Sequence, residues 1–121
     1  MAKYKICLVT VDNEELALKI SKKLVEEKLA ACVNLIRNVK SVYRWQNKIE
    51  ETDEIILVIK TKSVLIKDVT VAVKSMHNYT VPEIIFLDIS EGFSEYLDWL
   101  GANTLFTSNI SKDRESEEGK E

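Results

Sequence analysis

Three stretches of this chain are apolar at consecutive positions, where a strand with one wet face would alternate. "YKICLVTV" sets Tyr4, Ile6 and Leu8 against Cys7, Val9 and Val11. "IILVI" sets Ile55, Leu57 and Ile59 against Ile56 and Val58, and "IIFLDI" sets Ile84 and Phe86 against Ile85, Leu87 and Ile89. Successive side chains of a strand point to opposite faces, so each of these strands needs cover on both sides.

The segments between them say what the cover is. After the first strand, Asp12 and Glu15 have capping-box spacing, and Leu16, Ala17, Ile20, Leu24 and Val25 recur at helical intervals opposite a lysine- and glutamate-rich face. "LAACVNLIRNVKSVYRWQ" then predicts a long strand, with Gln46-Asn47 as the hairpin tip before the return through "IILVIKT". At ~3.3 Å per residue the arm Ala30 to Trp45 reaches roughly 50 Å, so part of the hairpin overhangs the body. "SVLIKDVTVAVKSM" predicts a second helix behind a Ser63 cap, with His77 at or just beyond its end. Pro82 stands at the entrance of the last strand, and "SEYLDWLG" predicts a short helix stopped at Gly101.

The order strand, helix, strand, strand, helix, strand is that of the α+β ferredoxin-like βαββαβ sandwich, here with a long hairpin between the second and third strands and an extra C-terminal helix. Its two main helices lie on one face of the sheet. Two helices cannot cover both apolar faces, and the uncovered one exceeds the patch of ~300–600 Å² usual on monomers. An obligate oligomer follows, with Tyr43, Arg44 and Trp45 on the overhang as contact residues.

Length and charge bound the rest. The chain has 121 residues, enough for one domain, expected over residues 1–110. Residues 111–121, "SKDRESEEGKE", mix both charges without an apolar residue and are expected to form a flexible tail. A net charge of -3 gives no reason to expect nucleic-acid binding. No stretch approaches the ~18 apolar residues of a membrane span, and no signal peptide is recognisable, so a cytoplasmic location is expected. The two cysteines, Cys7 and Cys32, read as buried thiols of a reducing compartment.

"LAACVNLI", "SVYRWQNKIEETDEIILVIKT", "HNYTVPEI" and "YLDW", in this order, resemble the CutA (divalent cation tolerance) family over nearly the whole chain except the tail. The resemblance implies a homotrimer with sheets facing one another around the threefold axis, a link to metal-ion tolerance, and binding of copper or another divalent cation, none being required as a cofactor. It implies no enzymatic reaction. Carried over by position, the family motifs fall on Ala31-Cys32-Val33-Asn34, on Lys60 and Thr61, on His77 and Tyr79, on Pro82 and Glu83, and on Tyr96 and Trp99. The chain departs from the family pattern at Asn78, where proline is usual, and at Thr80, where glutamate is usual; the latter removes one oxygen ligand.

The candidate metal ligands are therefore Cys32, His77 and Glu83, and the candidate ligand-binding residues are Asn34, Lys60, Tyr79, Glu83 and Trp99. Each has a plainer reading beside it. His77 at a helix C-terminus is explained by the dipole, which favours its cationic form. Tyr43, Trp45, Tyr96 and Trp99 serve core or interface packing more often than ligand stacking. Cys7 and Cys32, on strands separated by a third, lie ~10 Å apart and cannot chelate one ion within a subunit. The three glycines are too scattered for a phosphate loop, and no nucleophile elbow accompanies His77. Two other functions stay open: a small-molecule sensor of the PII type, binding a metabolite between subunits, and a stable trimeric scaffold.

Overall fold

The structure is a computed structural model that describes residues 3–110; the expected tail, 111–121, lies outside the described residues. The elements in chain order are β1 (Tyr4–Val11), α1 (Glu14–Glu26), β2 (Cys32–Trp45), β3 (Lys48–Lys62), a 3-10 turn (Ser63–Leu65), α2 (Ile66–Met76), β4 (Ile84–Asp88) and α3 (Ser94–Ala102). The sheet is antiparallel throughout, in the order β2-β3-β1-β4, so β3 does separate β1 from β2. This is the ferredoxin-like arrangement with its extra C-terminal helix.

Asn13, not Asp12, caps α1: its Oδ1 accepts the Leu16 N–H at 2.8 Å. Asp12 instead accepts from the side-chain amides of Asn13 and Asn78, which ties the end of β1 to the loop after α2. Ser63 opens a 3-10 turn rather than capping α2, and α2 starts at Ile66 without a side-chain cap. Gly101 does not stop α3. It lies inside the helix, which ends at Ala102 with Asn103 as its C-cap, and glycine is needed there because a Cβ would come 2.7 Å from the Tyr4 hydroxyl.

The β2-β3 hairpin closes on Gln46 and Asn47, both with positive φ (50° and 65°), the tight two-residue turn whose twist suits a hairpin. Between Ile36 and Val39 the register slips: Ile36 faces Ile56 while Val39 faces Glu54, so Arg37 and Asn38 oppose Ile55 alone. Asn38 takes φ 63° at this bulge. A bulge bends its strand and sharpens the twist, and here it marks where the hairpin leaves the body of the sheet.

The core lies between the sheet and the first two helices. Cys7, Val9, Val11, Leu57 and Ile59 are buried against Ala17, Ile20, Leu24, Leu65, Val69 and Val73. At ~1.5–3 kcal/mol for each large apolar side chain removed from water, this layer stabilises the fold. The alternate residues on the same strands face away from the helices. Ile6, Leu8, Ile56 and Val58 are half-buried there, and Ile36, Ile85 and Leu87 are exposed. Two helices leave this face open, as the strand pattern requires.

Candidate functional site

The open face has an apolar middle and two polar ends. At one end Cys32 is paired in register with Lys60, and Asn34 with Val58. Lys60 Nζ donates to Asn34 Oδ1 and lies 3.9 Å from Cys32 Sγ, which itself lies 3.8 Å from the same amide oxygen. α3 closes this end. Lys62, almost fully buried, donates to the carbonyls of Gly101 (2.8 Å), Leu105 (3.2 Å) and Thr104 (3.3 Å) and sits 4.6 Å from the centre of the Phe106 ring. Burial, with repulsion from Lys3 added, holds its ammonium below the usual lysine range. Helix carbonyls at a C-terminus are the acceptors such a buried cation needs. Tyr96 and Trp99 pack against each other at 5.5 Å, and burial, then the nearby Cys32, raises the Tyr96 phenol.

At the other end the loop after α2 meets the base of the hairpin. The ring nitrogens of His77 are both engaged: Nε2–H donates to the Thr10 carbonyl (2.8 Å), and Nδ1 accepts from the Tyr79 N–H (3.1 Å). An Nδ1 that accepts carries a lone pair, so this geometry uses the neutral ring, and the cationic, dipole-bound reading of His77 is replaced by a backbone clamp. The clamp presents Tyr79, whose O–H donates to Glu54 Oε2 at 2.6 Å. Burial raises the Tyr79 phenol well above the usual tyrosine range, and the hydrogen bond and charge of Glu54 raise it further.

Around this pair lies a cleft of about 620 Å³, its walls including Tyr43, Trp45, Tyr79, Glu54, Glu83 and Thr10. Tyr43 O–H and Thr52 Oγ1, 2.8 Å apart, hold the hairpin wall. Sequence reasoning placed Tyr79 and Glu83 here but missed Glu54. Its signal was available: an acid two residues before Ile56 on the same strand face, where an apolar side chain would otherwise continue the row.

The two ends are separate. Thr10 is level with Ile56 and Cys32 with Lys60, four residues along β3 and roughly 14 Å at ~3.4 Å per residue. Cys32, Asn34 and Lys60 therefore share one end, with Trp99 on the helix that closes it, and His77, Tyr79 and Glu83 share the other. Among the described residues no group of three or more His, Cys, Asp or Glu side chains is gathered to hold a metal ion. Cys7 faces the core: burial, and less strongly the charge of Glu83, push its thiol up to about 12.

Residues 5–103 match the CutA1 divalent ion tolerance protein family. The divalent-cation tolerance protein CutA of Thermus thermophilus is 49% identical over 100 residues, which cover 83% of this chain and 97% of that one. Human Protein CutA is 46% identical over 76% of this chain, but the match spans only 51% of the human protein. The solved structure of the Thermus protein superposes with a TM-score of 0.83 at 48% identity, covering 84% of this chain and 99% of that one. That of CutA1 from Oryza sativa gives 0.85 at 39% identity, covering 88% and 97%.

Proposed function

We propose, from the premise that this chain belongs to the CutA1 divalent ion tolerance family, that it works as a homotrimer and that its part in divalent-cation tolerance belongs to the assembled trimer. The observation that carries this reading is the open sheet face. Ile6, Leu8, Ile36, Ile56, Val58, Ile85 and Leu87 form an apolar surface that no element of the described chain covers. At ~25 cal/mol per Å² its burial against sister subunits favours assembly, though association entropy offsets much of the gain.

Copper binding fits one chain poorly. A thiol beside a lysine ammonium and an imidazole with both nitrogens engaged are not a ready donor set, and copper sites normally gather three or four donors. Direct contact with a cation is therefore assigned to donors that neighbouring subunits bring together, Glu83 being the contribution of this chain. The reading includes no catalytic step, and it places the protein in the cytoplasm, where unpaired Cys7 and Cys32 stay reduced.

Calorimetric titration of the trimer with Cu(II) is expected to give a saturable stoichiometry that drops in Glu83→Gln and is kept in His77→Ala and Cys32→Ser. A single-chain species in light scattering at micromolar concentration would sink the trimer. Binding untouched by Glu83→Gln would sink the metal assignment.

A second reading, the small-molecule sensor, is favoured by the cleft beneath the hairpin, whose volume lies in the ~300–1,000 Å³ range of ligand pockets.

A further inference from the structure

The cleft at the hairpin base has a composition that selects a ligand charge. Its walls include two carboxylates, Glu54 and Glu83, and three aromatic rings, Tyr43, Trp45 and Tyr79, with no lysine or arginine among them. Glu54 is 7% exposed. No buried side-chain oxygen among the described residues lacks a partner, so the carboxylate oxygen that the phenol does not hold is open to the cleft and free to take a ligand there. Tyr79 O–H is the single hydrogen bond to it among the described residues, and it goes to Oε2; Oε1 takes none. The charged residues nearest the cleft do not change the sign: Asp12 adds negative charge beside Tyr79. Three cations stand just outside the walls: Lys74 donates to the Thr80 carbonyl (3.0 Å), Lys48 lies opposite Trp45 with Glu50 two residues on, and Arg44 lies between Tyr43 and Trp45 in sequence, its side chain on the opposite face of the strand.

A metal ion would use the carboxylates but not the rings, and it would lack a third ligand. A cation with an organic body uses both. Aromatic faces attract ammonium and guanidinium groups, and a planar guanidinium can take two bonds from a carboxylate.

Resting on the sensor reading of this cleft, we infer that it binds a small organic cation, a guanidinium or primary ammonium compound, with Glu54 as the charge partner and Tyr43, Trp45 and Tyr79 as the walls. Glu83 at the rim adds attraction for the same sign. Glu54 Oε1 accepts the buried N–H of the ligand while Tyr79 keeps Oε2 oriented.

The test uses the full chain, with butylguanidinium as probe and butylurea as its neutral counterpart. Calorimetry and tryptophan fluorescence are expected to give saturable binding of butylguanidinium and none of butylurea. Glu54→Gln, which keeps an acceptor for the Tyr79 hydroxyl, weakens binding at least about tenfold. Trp45→Ala, at a position exposed in the single chain and expected among the oligomer contacts, weakens it as well with the oligomer mass unchanged in light scattering.

Equal binding of butylurea, or affinity unchanged in both variants, overturns the inference. Displacement by equimolar Mn(II) reassigns the cleft to a metal ion. Binding of ATP without butylguanidinium overturns the cation assignment and leaves the sensor reading standing; no binding of either removes both. A drop in oligomer mass in Glu54→Gln means that a basic side chain of a second copy fills the cleft, and it too overturns the free-ligand assignment.

Discussion

On the helix side of the sheet, Cys7, Val9, Leu57 and Ile59 have lost all contact with water. One residue further along the same strands or their neighbour, on the opposite side, Ile85 and Leu87 keep about half of their surface exposed (48% and 50%). Residue type does not separate the two sides, since both are rows of Ile, Leu and Val. The difference is what lies above them. α1 and α2 finish one face within the chain, and no element of the described chain finishes the other, which the proposed trimer assigns to sister subunits. The polar ends of the open face sharpen the contrast: Lys60 with Asn34 at one, Glu54 with Tyr79 at the other, each partly sealed by a local element.

The contrast can be broken most sharply from the open side. Leu8→Asp puts a carboxylate in the middle of the uncovered row and is expected to leave a single-chain species in light scattering at micromolar concentration, because a charge buried without a partner costs more than the contact returns. If the mass is unchanged, the open face is not where copies meet. On the covered side, Leu57→Ala is expected to cost about 2–5 kcal/mol in denaturant unfolding, with the oligomer retained under native conditions. Loss of the oligomer from this change would mean that the two faces are not independent.

Gly101→Ala tests the small part of the open-face side that α3 does cover. The new methyl meets the Tyr4 hydroxyl, and a loss of about 1–3 kcal/mol is expected. Tyr4→Phe removes the obstructing oxygen and should restore most of it, which a double-mutant cycle reads directly.

The smallest effect concerns pH. The Cys7 thiol is raised from 9.0 to about 12 in the fold, so the folded chain holds this proton after the unfolded chain has released it. The associated stability is fully present below about pH 9 and is lost as pH rises from there toward 12. Cys7→Ala should flatten this part of the stability profile; an unchanged slope assigns it to other groups, such as Tyr79, whose phenol is also raised.

Element order, the hairpin tip and the two-sided sheet were legible because they rest on periodicity and on residues with strong turn preferences. Asn47 tolerates φ 65°, and the strands had no alternation to hide. Less local features were not. The choice of Asn13 over Asp12 as cap depends on where Asn78 arrives from 66 residues away. Gly101 reads as a stop signal until Tyr4 is known to lie against it. The bulge at Arg37-Asn38 has no glycine to announce it.

Of the candidate site residues, the sequence placed Cys32, Asn34 and Lys60 on neighbouring strands, and the register brought them together. His77 was visible as the only histidine, but its role was not. Whether an imidazole binds a ligand or clamps a loop depends on which atoms meet its two nitrogens, and the Thr10 carbonyl does so across 67 positions.

What the residue order determined by itself was a sheet greasy on both sides with too few helices to cover it, since strand and helix periods are local properties of the chain. Only the tertiary structure decided which carboxylate is buried, which tyrosine steadies it and where the hairpin bends, because burial and hydrogen-bond partners are set by distances between residues far apart in sequence.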